Sequence, residues 1–343
     1  MALFPRVGRE QPRLRFVWWT VVVLLCLGVL LHLFPFYFMV VTSITPAKET
    51  LSLTPTFWPK QPTWAAWQLV FDTTGQSSTN GRVRDLFKEP FGVYLKNSLF
   101  ITLMTLAISL PITSLAAYAS SKLQRGPVGR WLFLTFIGTL MVPFAVTLIP
   151  AFLLTRNFPF AMPNPPVIPG TTTPFPVLQI WNTPWAVIIP AAFNAFNFLL
   201  FKGFFDTIPD SILQAARVDG GSEFNIFRRI VLPMSVPVYA VAAWLQFGNT
   251  WDSFLWPLLV IQDNKQQMTS VMIYNLMTKF TTSGATNPEQ AAGQSRALQE
   301  VLEKGLSWNG LMVLGLLQTI PIFIMFIICR EYLLRGIRIR GFK

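Results

Sequence analysis

Six stretches of this chain are long, apolar and nearly free of charge, and they constrain the fold more than any other feature. A helix rises about 1.5 Å per residue, so about 20 apolar residues cross the hydrocarbon core of a bilayer. Each Lys, Arg or Asp at mid-helix costs roughly 2.5–3.5 kcal/mol on the insertion scale. The six predicted membrane-spanning helices are residues 16–42, 97–121, 131–155, 183–201, 234–261 and 308–329. The prolines expected to kink these helices are Pro143, Pro150, Pro190, Pro257 and Pro321. The chain is therefore predicted to be an all-α integral membrane protein.

The overall composition agrees with this class. Hydrophobic residues make up 52% of the 343 residues and charged residues only 12%, whereas a soluble domain carries about 25% charged residues. The net charge of +12 forms no dense basic patch, which argues against nucleic-acid binding. The two cysteines lie inside apolar runs and show no metal-ligand spacing. The single histidine, His32, is either a hydrogen-bonded interior side chain or a proton carrier.

The distribution of Lys and Arg predicts the orientation. More than half of the 27 basic residues fall in short segments that share one side when the N-terminus is placed inside, and such residues mark the cytoplasmic side. Both termini are therefore predicted to be cytoplasmic. The first apolar run is longer than the apolar core of a signal peptide, which indicates a retained helix. The predicted layout is a cytoplasmic tail 1–15, a first helix 16–42, an extracytoplasmic loop 43–96, a five-helix core 97–333 with a cytoplasmic loop 204–233 and an extracytoplasmic loop 262–307, and a cytoplasmic basic tail 334–343.

The cytoplasmic loop contains the stretch DSILQAARVDGGSEFNIFRRIVLP, which predicts a pair of short helices. Pro209 and Asp210 favour a helix start. Gly220 or Gly221 can adopt the positive φ that ends a helix, and Ser222 is a good N-cap for the next one. From local chemistry alone, such a hairpin either lies on the membrane or its own bundle, or it offers small side chains to a partner.

The same stretch resembles the EAA motif of permease subunits in binding-protein-dependent ABC importers. The matching residues are Gln214-Ala215-Ala216, Gly220, Ile230 and Leu232-Pro233. The family usually has Glu where this chain has Gln214, which keeps the hydrogen-bonding capacity but loses the charge. Four further stretches, KNSLF, AAYASSKLQ, WDSFLWPLLV and REYLLRGIRIRGFK, resemble the carbohydrate-uptake subgroup and its six-span maltose-type permease. The resemblance covers roughly residues 15–343.

This resemblance implies the type I ABC importer permease fold, with a coupling helix that docks in a cleft of a cytoplasmic ATPase subunit. The predicted ATPase-coupling residues are Gln214, Ala215, Ala216, Asp219, Gly220, Phe224, Phe227, Arg228, Ile230, Leu232 and Pro233. The tail residues Arg338, Arg340 and Lys343 either touch the ATPases or serve as a positive-inside anchor. The chain lacks a G-x-x-x-x-G-K-[ST] motif. ATP and Mg²⁺ are therefore expected to bind partner subunits, and this chain is expected to be non-catalytic, with no cofactor or metal of its own.

The resemblance also implies a set of partners. These are two ATPase subunits, a second and different permease chain, an extracytoplasmic binding protein, membrane lipid, and a sugar or related polar substrate. The loop 262–307 matches the position of a family loop that reaches into the binding protein. The implied location is the cytoplasmic membrane of a bacterial or archaeal cell. Glycerol phosphates pass through the same subgroup, and the sequence does not separate them from sugars.

Polar residues inside the predicted spans have two readings. Asp252 is the only acid well inside a span, and Asn249 shares its helix face. Asn194 and Asn197 form a similar pair on the predicted fourth helix. Such side chains hydrogen-bond sugar hydroxyls along a translocation path, or they join neighbouring helices.

Two other classes of protein compete with the importer. A self-contained secondary transporter of a polar solute needs several intramembrane ionisable groups, for which Asp252 and His32 are the only candidates. A membrane enzyme or scaffold with chemistry of its own needs acids, His or Cys clustered near one membrane face, and the sequence shows none. The EAA-like stretch favours the importer.

Overall fold

The computed structural model describes residues 12–51, 57–71, 88–124, 126–159, 164, 166–168, 176–281 and 307–335. Within those residues the regular structure is helical and no β-strand forms, which confirms the all-α prediction. The helices are α1 (Pro12–Ser43), α2 (Ala65–Phe71), α3 (Phe91–Tyr118), α4 (Pro127–Leu140), α5 (Phe144–Arg156), α6 (Trp185–Ile188), α7 (Ala195–Asp206), α8 (Asp210–Val218), α9 (Glu223–Met234), α10 (Val236–Trp251), α11 (Leu255–Val260), α12 (Thr269–Thr281) and α13 (Trp308–Arg335). A π-helical turn at Ala119–Leu123 continues α3, and another at Phe227–Val231 lies inside α9.

Three of the described helices are long and apolar enough to cross a membrane, namely Arg15–Ser43, Phe91–Leu123 and Trp308–Leu333. Two helix pairs qualify only jointly, because each is bent at a short break: α4 with α5 by 101°, and α9 with α10 by 79°. By length and composition, the described residues thus offer three spans, or five if each bent pair counts as one. The transmembrane character is confirmed, whereas the count of six spans and the side of the termini stay predictions.

The predicted helix over 131–155 is two helices rather than one. A short break that ends in Pro143 separates α4 from α5. Proline has no N–H and disfavours helical geometry in the residue before it, so α4 ends and α5 starts in a new direction. By contrast, α5 continues through Pro150 and α13 through Pro321. Only some of the prolines expected to kink a helix therefore interrupt one.

The predicted helix over 183–201 is also broken. Its first part is α6 followed by a 3-10 turn at Pro190–Ala192, and its second part is α7. Asn194 caps α7 by accepting a hydrogen bond from the backbone N–H of Asn197 at 2.9 Å. A side-chain cap of this kind lets a helix start inside an apolar segment. Neither part alone reaches the length that crosses a bilayer.

Both predicted outer loops contain helix. Loop 43–96 holds α2, and α3 begins at Phe91 rather than near Asn97. Loop 262–307 holds α12, which a search for apolar runs does not find because the helix contains polar residues. The predicted segments that lie outside the described residues include 72–87 and 282–306 in these loops and the tail 336–343, with Arg338, Arg340 and Lys343.

The chain forms two compact units, of which the first comprises residues 1–72 and 277–317. Within this unit, Asn309 Nδ2 donates to the carbonyl of Thr45 at 3.1 Å. Trp67 Nε1 donates to Ser43 Oγ at 3.3 Å. These bonds fasten the end of α1 to the start of α13 and to α2.

The second unit comprises residues 73–276 and 318–343. Its largest described core is aromatic and joins the end of α3 to α7, α8, α9 and α10. The buried aromatic residues of this core are Tyr118, Phe198, Phe201, Phe204, Phe205 and Phe227. Burying large apolar side chains supplies most of the packing energy of such a core. This core also fixes the position of α8 and α9, which carry the EAA-like stretch.

Candidate functional site

The EAA-like stretch folds into α8 and α9, which we call the hairpin (residues 210–234). α8 ends in a Schellman motif. The N–H of Gly221 donates to the carbonyl of Ala216 at 2.9 Å, and the N–H of Gly220 donates to that of Arg217 at 3.0 Å. Gly220 has a φ of 80°, a geometry that residues with a Cβ rarely adopt. The predicted bend is therefore confirmed, and Gly220 supplies its positive φ.

At Gly221 the bend leaves no room for a larger residue. A Cβ atom on Gly221 would lie 2.8 Å from the carbonyl oxygen of Ala216. Ser222 then starts α9 by accepting a hydrogen bond from the backbone N–H of Asn225 at 3.4 Å. The predicted N-cap is thus confirmed, and two adjacent signals, the Gly pair and Ser222, set the path of the chain.

An ion pair crosses the bend. Arg217 Nε donates to Glu223 Oε1 at 2.6 Å, and both side chains are more than one third exposed. The Glu223 carboxylate raises the pKa of the Arg217 guanidinium. Glu223 also accepts a hydrogen bond from the hydroxyl of Tyr118, at the end of α3, at 2.9 Å. These bonds therefore connect α8 to α9 within the hairpin, and they connect the hairpin to α3.

The hairpin has an inner and an outer face. The residues of the inner face, buried in the aromatic core, are Leu213, Ile226, Phe227 and Val231. On the outer face, Ala215 is exposed, Val218 is 87% exposed and Phe224 is 63% exposed. Phe224 lies before the π turn of α9 and faces outward, whereas the ring of Phe227, where the turn begins, packs 5.3 Å from the ring of Tyr118.

The predicted coupling residues divide between these faces. Those exposed are Gln214, Ala215, Asp219, Gly220, Phe224, Arg228 and Pro233, those half-buried are Ala216, Ile230 and Leu232, and Phe227 is buried. Exposed apolar side chains beside small residues suit contact with another protein. Phe227 instead contacts the chain's own core, where its ring packs against Tyr118.

The polar residues of the predicted spans also divide into two groups. Asn197 is 2% exposed, and its Nδ2 donates to Gln246 Oε1 at 3.0 Å. Gln246 in turn donates to Thr250 Oγ1 at 3.4 Å. Asn197 therefore joins α7 to α10, and Asn194 serves as the cap of α7. Asn197 thus follows the helix-joining reading, whereas the side chain of Asn194 caps its own helix.

Asn249 and Asp252 lie elsewhere. They line a cavity of about 610 Å³ between the C-terminal half of α10, α11, the start of α5 and α13. The lining residues are Phe144, Trp244, Leu245, Gly248, Asn249, Asp252, Ser253, Phe254, Leu255 and Ile322. The predicted shared face of Asn249 and Asp252 is confirmed. A cavity with aromatic walls and a few convergent polar groups is the usual form of a small-molecule site.

The structure reveals functional candidates that the sequence analysis missed. Tyr118, Ser121 and Lys122, at the end of α3, all contact the hairpin or the residues next to it. Their signal is present in the stretch AAYASSKLQ, where they follow one another at helical spacing. The sequence alone indicates Lys122 only as a cytoplasmic charge. Among the described residues, no group of three His, Cys, Asp or Glu side chains could hold a metal ion.

Comparison with known families decides the identity of the fold. A family described as "Binding-protein-dependent transport system inner membrane component" matches residues 109–339, which is more than half of the chain. This chain belongs to that family. The match includes the hairpin and the lining of the cavity, and it confirms the family predicted from the EAA-like stretch.

Individual relatives agree with this assignment. The arabinooligosaccharides transport system permease protein AraQ of Halalkalibacterium halodurans is 27% identical over 254 residues, which cover 74% of this chain and 75% of that protein. The sn-glycerol-3-phosphate transport system permease protein UgpE of Yersinia pestis is 25% identical over 316 residues, which cover 92% of this chain and 94% of that protein.

A solved structure shows the same fold. A crystal structure of a bacterial ABC transporter involved in the import of the acidic polysaccharide alginate contains a chain that is 20% identical, with a TM-score of 0.68. The match covers 96% of this chain and 99% of that chain. The predicted permease fold of an ABC importer is thereby confirmed.

Proposed function

We propose that this chain is the transmembrane permease subunit of an ATP-driven importer. It forms part of the translocation path for a sugar or oligosaccharide that an extracytoplasmic binding protein delivers, and it is coupled through the hairpin to cytoplasmic ATPase subunits. The observation that carries this proposal is the hairpin itself. In a chain of this family, a rigid helix pair presents exposed small and apolar residues at the end of the bundle.

The outer face of the hairpin suits docking. Ala215 and Gly220 allow a partner to approach the backbone closely, and Val218 and Phe224 offer apolar area that the described chain leaves exposed. Gln214 contributes an uncharged hydrogen-bonding group at this face. The Schellman motif and the Ser222 cap fix the two helices, so the face is preorganised and little freedom is lost on docking.

The remaining parts of the proposal concern the assembly. ATP and Mg²⁺ bind to the two ATPase partners rather than to this chain, and a second, different permease chain completes the path. Six spans with both termini in the cytoplasm place the hairpin beside the ATPases, with the tail Arg338, Arg340 and Lys343 on the same side. The complex resides in the cytoplasmic membrane of a bacterial or archaeal cell.

The cavity favours a neutral polyhydroxy solute. Asn249 and Asp252 offer an amide and a carboxyl group to hydroxyls, while Trp244 and Phe254 offer aromatic faces. None of the described lining residues is basic, so a phosphate group would meet a carboxyl group without a Lys or Arg to pair with. We therefore favour a sugar, such as an arabinooligosaccharide, over a glycerol phosphate.

A pull-down from the native membrane tests the proposal. The chain carries a C-terminal tag, is solubilised gently, and its co-purifying proteins are identified by mass spectrometry. We expect a Walker-motif ATPase and a second permease, and the Gly220→Asp variant should lose the ATPase because it distorts the bend of the hairpin. If the chain purifies alone even after crosslinking from cysteines placed at 214–230, a self-contained secondary transporter explains it better.

A further inference from the structure

A cluster at the end of α3 holds the hairpin from the side opposite its outer face. It consists of Tyr118, Ser121 and Lys122, which we call the latch. None of the three belongs to the predicted coupling residues. Their side chains contact residues near both ends of α8, so the latch contacts the hairpin at its beginning and at its bend.

Lys122 is the buried cation of the latch. Its side chain is 4% exposed, and its Nζ donates to the carbonyl of Ile208 at 2.8 Å and to Asp210 Oδ1 at 3.0 Å. Asp210 is the first residue of α8. A buried ammonium is stable only where such partners compensate its lost hydration. Lys122 thus ties the start of α8, through backbone and side chain together, to α3.

Tyr118 and Ser121 extend this connection. The hydroxyl of Tyr118 donates to Glu223 Oε2 at 2.9 Å, and Ser121 Oγ donates to Asp206 Oδ1 at 2.5 Å. The ring of Tyr118 also packs on Phe227. Both contact points involve π-helical turns, one that begins at Ala119 and one that begins at Phe227. Such turns are rare and occur frequently where a protein performs its function.

The other end of α3 leads to the cavity. Ser98 lies about 30 Å along the helix axis from Tyr118, and its hydroxyl shares a hydrogen bond of 2.9 Å with Thr269 Oγ1. Thr269 Oγ1 donates to Gln318 Oε1 at 2.7 Å, and Gln318 Nε2 donates to the carbonyl of Trp251 at 3.1 Å. Trp251 immediately precedes the cavity residue Asp252. A continuous set of contacts therefore runs from the hairpin along α3 to the cavity.

We infer that the latch transmits the displacement of the hairpin to α3, with Lys122 and Tyr118 as positioning residues for coupling. The outer face of the hairpin docks the ATPase, and the buried latch conveys the resulting movement to the cavity. Docking and transmission thus belong to different residues. This inference rests on the proposed function, because it needs an ATPase on the hairpin.

The test separates transmission from docking. A Ser253→Cys substitution places a single thiol in the lining of the cavity, in a chain that also carries Cys26→Ser and Cys329→Ser, and the assembled complex is purified with its binding protein. The reaction rate of the introduced thiol with N-ethylmaleimide is measured before and after trapping with Mg-ATP and orthovanadate. The variants are Lys122→Met and Tyr118→Phe, the second of which keeps the aromatic packing.

Arg130→Met is the control, because Arg130 is an exposed cation of α4 that takes no part in the latch contacts. We expect both latch variants to retain the ATPase subunit and its hydrolysis of ATP, but to lose the change in labelling rate that the control retains. An unchanged response in both variants overturns the inference, and so does loss of the ATPase from both. If no ATPase accompanies even the unaltered chain, it is the proposed function that fails.

Discussion

The hairpin and the cavity lie toward opposite ends of α10 and use charge in different ways. At the hairpin, the ion pairs Lys122–Asp210 and Arg217–Glu223 each join two structural elements. At the cavity, the carboxyl group of Asp252 borders an open volume with aromatic walls. Paired charges fix geometry, whereas a polar group beside a cavity is available to a guest. The hairpin is therefore built to keep its shape, whereas the cavity has the form of a site that a solute could enter.

The largest effect should come from breaking the rigid region. Gly221→Val places a Cβ 2.8 Å from the carbonyl oxygen of Ala216, so the bend must open at a cost of about 1–3 kcal/mol. The measurement is the thermal midpoint of the detergent-solubilised chain by size-exclusion chromatography. Gly203→Val is the control, because a Cβ there meets nothing within 4 Å. Equal midpoints for the two variants would show that the bend is loosely packed.

Asn197 and Asn249 should differ in how much they contribute to stability. Asn197→Ala leaves the buried amide of Gln246 without its partner, which should lower stability by about 1–3 kcal/mol, less where Gln246 can keep its bond to Thr250. Asn249→Ala, at the cavity, should leave the thermal midpoint unchanged. If Asn249→Ala destabilises the chain as much as Asn197→Ala, then Asn249 joins helices rather than serving the cavity.

Changing the charge of the cavity lining should change which of two solutes is taken up. Asp252→Asn removes the carboxylate that opposes an anion, and uptake of sn-glycerol 3-phosphate relative to a neutral arabinooligosaccharide should rise about tenfold, equivalent to about 1.4 kcal/mol. Asn249→Asp adds a second carboxyl group and should shift the ratio the other way. Uptake of both labelled solutes is measured in cells that lack other carriers. A ratio that neither variant changes would exclude this cavity from the path.

The smallest effect should come from the exposed ion pair of the hairpin. Arg217→Gln removes a pair whose partners are 37% and 41% exposed, and such pairs contribute about 0.2–1 kcal/mol. The shift in thermal midpoint should shrink further at high salt, because salt screens exposed charges. Arg228→Gln, on the same outer face, is the control. A shift as large as that of Gly221→Val would mean that the pair, rather than the packed bend, holds the hairpin.

The hairpin could be predicted from the sequence and the latch could not, for a physical reason. The hairpin follows from local signals, because Gly220 and Ser222 determine backbone geometry over a few residues. The latch depends on Lys122 and Asp210, which are 88 residues apart, and no local pattern indicates such a contact. From the sequence, a charge near an apolar run is therefore only an orientation signal.

The positions of the apolar helices could be predicted better than their shapes. Counting charges finds an apolar run, but it ignores neutral polar residues that end or cap helices. Asn194 starts α7 within one such run, and Pro143 divides another into α4 and α5. The same count does not register six buried Ser and Thr residues of α3, namely Ser98, Thr102, Thr105, Ser109, Thr113 and Ser114. Such small polar side chains let neighbouring helices approach closely.

The long separation of Lys122 from Asp210 has a consequence for biosynthesis. A ribosome adds about 5–20 residues per second, so the 88 residues between the two positions take roughly 4–18 s to appear. During that interval the ammonium group must stay hydrated at the membrane surface, where it helps to retain the end of α3 on its side. Only after α7 has been inserted does Asp210 become available to receive it. This ion pair can therefore close only once the start of α8 has been made, and until then the end of α3 lacks its contact with the hairpin.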